Sequence, residues 1–160
     1  MIVIADTSPI NYLVQIGEIE ILPKLYGSIL IPPSVRNELQ HPRAPEAVRR
    51  WINQPPEWLQ VRASSLTPDS ELLEADIEVG ERDAILLAQE LAADELIMDD
   101  LRGRREAERR RMSVTGTIGV LRAAAELELL DFRDAVGRLL RMKFRIEKRF
   151  LDRLIRGEEV

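Results

Sequence analysis

Five carboxylates stand where one fold could gather them: Asp6, Glu38, Asp83 and the adjacent pair Asp99 and Asp100. Asp6 closes the apolar run Ile2-Val-Ile-Ala5, and the pair closes the run Leu96-Ile-Met98. Two buried strands that end side by side in acids bring like charges together, at a cost unless a cation lies between them. Glu38 falls about one turn into a helix opened by Pro32-Pro33, and Asp83 lies early in a helix that starts near Gly80. Helical Cβ atoms tilt toward the helix N-terminus, so acids early in helices that follow strands reach back toward the strand ends. An all-oxygen donor set suits a hard divalent cation such as Mg2+ or Mn2+. The chemistry this points to is hydrolysis of a phosphate ester, with the ion polarising a phosphoryl oxygen and activating a water.

Each acid also has a plainer reading. The helix dipole alone favours acids in a first turn, which would account for Glu81 and Asp83. Asp99 or Asp100 could simply cap the helix that follows, and Asp6 could hold a turn. These readings weaken when all the acids fall along one edge. Ser8 reads as an N-cap, with Pro9 at the first helical position. Thr115 and Thr117 follow the last strand candidate, and their amides and hydroxyls could hold a phosphate or serve as caps. His41, the single histidine, lies beside a proline and reads as structural. With one histidine and no cysteine, neither a Ser/His/Asp arrangement nor a thiol nucleophile can be built.

The charge is divided along the chain. Residues 1–100 carry 7 basic and 18 acidic side chains, and residues 101–160 carry 16 and 10, for a formal net charge of −5. Arginines at 102, 104, 105, 109, 110 and 111 follow directly on Asp100. Arg102, Arg105 and Arg109 share a helical face, spaced to track successive phosphates of a nucleic acid. The alternative is a solvated basic face.

These residues need elements to hold them. Strands are predicted at 2–5, 28–31, 58–61 (an edge), 95–98 and 113–114. Between them the sequence predicts helices starting at Pro9, at Glu18 (interrupted at Pro23), at Ser34, Pro45, Glu71, Gly80, Leu101 and Thr117, with two more at 131–143 and 147–156. In the helix after Gly80, Ala84, Ile85, Ala88, Leu91 and Ala92 form the apolar face, while Glu81, Arg82, Gln89 and Glu90 fall mostly opposite. Strands alternating with helices predict an α/β fold, a three-layer α/β/α sandwich around a mostly parallel sheet. Length predicts one domain over 1–160, with a core at about 1–126 and extra C-terminal helices at about 127–160. Apolar stripes at Phe132, Val136, Leu139 and Leu140, and at Phe150, Leu151, Leu154 and Ile155, offer packing or dimer surface. No apolar run approaches the roughly 20 residues that span a bilayer. The N-terminus enters a strand with no basic leader, which reads as cytoplasmic.

The ordered set Ile2-Val-Ile-Ala-Asp-Thr-Ser8, Glu38, Asp83-Ala-Ile-Leu-Leu-Ala88 and Leu96-Ile-Met-Asp-Asp100 resembles the PIN-domain nucleases. Gly80-Glu-x-x-Ala-Ile, Asp99-Asp-x-x-Gly-Arg104 and Gly116-Thr-Ile-Gly-Val-Leu121 resemble a VapC-like prokaryotic subgroup. The resemblance covers about residues 1–126. It implies Mg2+- or Mn2+-dependent ribonuclease activity, with Asp6, Glu38, Asp83 and an acid of the Asp99/Asp100 pair as metal ligands. It further implies a homodimer, an RNA substrate and, in toxin–antitoxin members, inhibition by a small cognate antitoxin. Glu81 competes with Asp83 for the third acidic place, and Met98 stands where the pattern often has Thr or Ser. Two other readings compete: a catalytically degenerate RNA-binding or assembly module of this fold, and a receiver-like signalling domain.

Overall fold

The computed structural model describes residues 1–142, and the expected helix at 147–156 with its stripe at 150–155 lies outside them. The chain runs β1 (Val3–Ala5), α1 (Thr7–Gln15), α2 (Ile21–Tyr26), β2 (Ile29–Ile31), α3 (Pro33–Leu39), α4 (Glu46–Asn53) and β3 (Leu59–Val61). It continues α5 (Ser70–Glu74), α6 (Val79–Leu91), β4 (Glu95–Ile97), α7 (Leu101–Arg109), β5 (Val114–Thr115), α8 (Thr117–Glu126) and α9 (Phe132–Leu140). The strands are short and rich in Val, Ile and Leu, as strands covered on both faces are. All pairings are parallel, in the order β3-β2-β1-β4-β5.

That order places β1 at the centre. The chain leaves β1 toward β2 and β3, then crosses back to lay β4 on its other side. Connections diverge at β1, and open α/β sheets place ligands beside the strand carboxyl ends at such a point. Ala5 pairs with Ile97, and the Asp6 amide donates to the Ile97 carbonyl at 2.9 Å, so Asp6 emerges where β4 is about to release Asp99. The receiver-like reading requires the order 2-1-3-4-5, which this sheet does not have.

Alternation along β1 divides the core. Val3 and Ala5 face one layer with Leu13 of α1, Val35 of α3, Val48 of α4, Leu121 of α8 and Val136 of α9. Ile4 faces the other, with Leu72 of α5, Ile85 of α6 and Ala107 of α7. β3 is the expected edge, with Gln60 and Val61 exposed.

Pro23 does not interrupt a helix begun at Glu18. α2 starts at Ile21, so Pro23 is its third residue, where a missing N–H costs no helical bond. In α9, Val136 and Leu139 are buried in the chain's own core, which leaves Leu140, at 38 % exposure, as the part of that stripe turned outward. Among the described residues no helix is long and apolar enough to cross a membrane.

Candidate functional site

Asp6 is the first residue past β1 and takes the N-cap position of α1, yet its side chain does not cap the helix. The expected cap, Ser8, lies instead inside the first turn, because helical geometry begins at Thr7. Asp6 is only 4 % exposed. Burial pushes its carboxyl up to about 8; the Thr7 amide opposes this, while the charges of Glu81, Glu38 and Asp99 add to it. Three further carboxylates from three other elements are thus near enough for their charge to act on it.

Glu38 comes from the second turn of α3 and accepts a hydrogen bond from the Thr7 hydroxyl at 2.6 Å. Its carboxyl fills the space that a β-carbon on Gly80 would need. Glu81, 8 % exposed, comes from the first turn of α6 and accepts from the Glu78 amide at 3.1 Å. Burial is the main force raising its carboxyl to about 7; the Glu78 amide opposes, and Asp100, Glu78 and Glu38 add to the rise.

The two acids after β4 diverge. Asp99 turns to the start of α8 and accepts both the Thr117 amide and the Thr117 hydroxyl, each at 2.7 Å. Burial raises its carboxyl, against the Thr117 donors and the charge of Arg104. Asp100 is exposed, caps α7 by accepting the Gly103 amide at 3.0 Å, and faces Glu81. Asp99 thus borders Asp6, and Asp100 borders Glu81.

Asp83 does not join this group. It lies beside Arg82 at 3.7 Å and lines a separate cavity with Pro32, Ser34 and Leu86. The reason is the helical face. Glu81 precedes Ala84, Ile85 and Ala88 by three, four and seven residues, so it begins the inward stripe of α6 rather than lying opposite it. The dipole reading treats Glu81 and Asp83 alike, and this spacing separates them. Thr7 as a partner of Glu38, and Arg104 beside Asp99, carried no such signal.

The remaining candidates are dispersed. Thr117 is buried against Asp99, whereas Thr115 lies against Gly119 of α8 and Ser8 makes no hydrogen bond to the acids. On α7, Arg102 pairs with Asp76, Arg109 reaches Glu106 at 3.3 Å, and Arg105 is exposed. Arg110 is half-buried in a network with Asp69 at 2.8 Å and the more deeply buried Glu106 at 3.1 Å. His41 is exposed and accepts the Arg43 amide at 3.0 Å within its turn. An open groove lined by Thr7, Asn11, Glu38, His41 and Glu78 leads to Glu38 from one side. A recess lined by Asp76, Glu78, Glu81, Asp100 and Arg102 lies on the other.

In kind, this donor set fits a hard divalent cation: carboxylates from three other elements act on one buried acid, and among the described residues none of the four is in a salt bridge with a lysine or arginine. As the side chains stand, no three His, Asp or Glu among the described residues converge to hold one ion. Each is instead turned onto a protein donor: Glu38 onto Thr7, Glu81 onto the Glu78 amide, Asp99 onto Thr117. A carboxylate that accepts such hydrogen bonds keeps lone pairs for a cation, so these donors orient the acids without using up their capacity to bind an ion.

A family model, DUF3368, described as a PIN domain, matches residues 2–159. The match runs past residue 126, where the motifs read from the sequence stop. No curated protein matches the chain.

Proposed function

The chain belongs to the PIN-domain family, and from that premise we propose that it is a divalent-metal-dependent ribonuclease using Mg2+ or Mn2+. The observation that carries this reading is the gathering of Glu38, Glu81 and Asp99 around buried Asp6 at the carboxyl edge of a parallel sheet. Asp6, Glu38, Glu81 and Asp99 would hold the cation. Such an ion supplies Lewis-acid polarisation of the phosphoryl oxygen and an activated water.

The chain's own residues set the conditions for that chemistry. With its carboxyl near 8, Asp6 keeps a proton at neutral pH in the metal-free protein and gives it up as the site is occupied. Thr117 orients Asp99, and Thr7 orients Glu38. The groove past Asn11 and His41 and the recess beside Arg102 would give an RNA strand a path across the acids. The finer proposal is the toxin of a toxin–antitoxin pair, a homodimer held inactive by a small antitoxin. It rests on the VapC-like resemblance of Gly80-Glu81, Asp99-Asp100 and Gly116-Thr117 with their neighbours.

The turning of each acid onto a protein donor favours a second reading, a PIN fold that binds RNA without cutting it. Mn2+ titration by calorimetry and cleavage of single-stranded RNA, each with wild type and Asp6→Asn, separate the two. Metal-dependent cleavage that Asp6→Asn abolishes supports the ribonuclease. RNA binding with no Mn2+ uptake supports the silent module.

A further inference from the structure

Of the arginines on and just after α7, Arg104 and Arg110 are half-buried and the others exposed. Arg110 commits its guanidinium to Asp69 and Glu106. Arg104 makes no side-chain hydrogen bond and no ion pair among the described residues. None of its side-chain nitrogens is sealed from solvent. Gly116 shows where the guanidinium lies: a β-carbon there would stand 2.9 Å from Asp99 Oδ1 and 3.0 Å from Arg104 Nη1. The carboxyl and the guanidinium therefore flank one gap over Gly116, too far apart to pair directly, and a side chain at 116 would close it. The charge of Arg104 acts on Asp99 across that gap, while the Thr117 amide and hydroxyl hold Asp99 from the other side. A guanidinium half out of water gives up hydration that an ion pair ordinarily returns. Arg104 forgoes that return at the border of the acid site.

We propose that Arg104 is a catalytic residue whose guanidinium holds a non-bridging oxygen of the scissile phosphate on the Asp99 side of the acid site, an inference that rests on the ribonuclease reading above. The fixed fork of guanidinium donors matches phosphate oxygens, and its charge persists at any working pH. In hydrolysis a water oxygen bonds to phosphorus while one bond from phosphorus to a ribose oxygen breaks. The water loses a proton, the departing ribose oxygen gains one, and nothing is oxidised or reduced. Arg104 takes part in neither proton transfer. It faces the negative charge that grows on the phosphoryl oxygens, and a donor already in place stabilises that charge without reorganising. Place separates it from its neighbours. Arg102, Arg105 and Arg109 are exposed and suit flanking phosphates, whereas the charge of Arg104 reaches an acid of the site. Glycine at 116 keeps open the gap between Arg104 and that acid.

The test has two arms. In the first, wild type and Arg104→Gln cleave single-stranded RNA at Mn2+ concentrations that saturate each protein, which removes any effect of Arg104 on metal affinity. kcat should fall roughly 100-fold, the usual effect of removing one donor from a developing oxyanion. KM should stay within about threefold, because the contact strengthens mainly in the transition state. If saturating Mn2+ restores the wild-type kcat, Arg104 acts only through Asp99 and the proposal is overturned. The second arm needs no catalysis: a short oligouridylate is titrated into metal-free wild type while the Arg104 Nε–Hε resonance, assigned by its loss in Arg104→Gln, is followed by NMR. A saturable shift supports the phosphate contact even if wild type cuts no RNA, in which case only the ribonuclease reading falls. No shift at any RNA concentration means that the guanidinium does not meet the strand, and the proposal is wrong.

Discussion

The carboxyl of Glu38 occupies the space where Gly80 would carry its β-carbon. Gly80 lies in the first turn of α6, where alanine is intrinsically better by about 1 kcal/mol. Gly80→Ala should therefore leave the fold intact while driving Glu38 off its bond to Thr7. Mn2+ affinity should fall roughly tenfold or more, the usual effect of disturbing a ligand's surroundings. Calorimetric titration beside a thermal melt checks this; equal affinity with an unchanged melting temperature would mean that Glu38 takes no part in metal binding.

Asp6 and Glu81 make the metal-free protein sensitive to pH. Both carboxyls are raised, to about 8 and about 7, so between their ordinary values near 4 and those limits the folded state binds more protons than the unfolded state. Their contribution to stability is complete at the acid end of that window and is lost as pH rises toward 8. Asp6→Asn should flatten the decline and melt higher than wild type at pH 8 without metal. Mn2+ affinity should move the opposite way, rising up to about tenfold per pH unit for each proton displaced. Melting curves and titrations at pH 5, 6, 7 and 8 measure both slopes.

How much of this the sequence carried depends on the kind of signal. Apolar runs ending in acid located β1 and β4, because a strand buried on both faces leaves a contiguous trace. The order β3-β2-β1-β4-β5 was not legible, since no local pattern says which strands become neighbours. Charge alone leaves Glu81 and Asp83 competing for the third acidic place, and it is the spacing of Glu81 to Ala84, Ile85 and Ala88 that turns it inward toward Asp6. Ser8 satisfies the local rule for an N-cap, but pairing of β1 with β4 fixes where the strand stops and lets the helix begin one residue earlier. Nothing in the sequence sets Arg104 apart from the five other arginines around it, and the close approach of α7 to Gly116 is what distinguishes it.

The Glu81 and Asp83 assignments separate cleanly by experiment. Glu81→Gln should weaken Mn2+ binding, since it removes a buried charge that faces Asp100 and Glu38. Asp83→Asn should leave Mn2+ affinity within about twofold, because Asp83 borders Arg82 and a different cavity, and a group with no contact to the ion changes affinity little. Equal losses in both variants would return Asp83 to the metal site.

Arg110 ties the cap of α5 to α7 through Asp69 and Glu106. Glu106 is 5 % exposed, and among the described residues it keeps Arg109 at 3.3 Å as its ion-pair partner without Arg110. Arg110→Ala should destabilise the protein by roughly 1–3 kcal/mol, the cost of leaving a buried polar group underpaired. Chemical denaturation of the metal-free protein measures this. A loss of RNA binding with unchanged stability would instead make Arg110 a phosphate contact.

Arginines of α7 can act on RNA in two separable ways. Arg102, Arg105 and Arg109 are exposed, and the pair of Arg102 with Asp76 lies at the surface, where an ion pair is weak enough for a phosphate to displace it; Arg109 reaches the buried Glu106 from the surface. Arg104 is half-buried beside Asp99, and its Nη1 would be 3.0 Å from a β-carbon on Gly116. Replacing Arg102, Arg105 and Arg109 by Gln should weaken binding of single-stranded RNA and reduce the log–log salt slope by about 2, at roughly 0.7 per lost phosphate contact. Mn2+ affinity should stay unchanged. Arg104→Gln should instead alter the metal site, because its charge favours the ionised form of Asp99, and Mn2+ affinity should fall with little change in the salt slope. Filter binding across salt concentrations, run with calorimetry on the same preparations, measures both quantities. A triple variant that keeps the wild-type salt slope would show that α7 presents only a solvated basic face to the RNA.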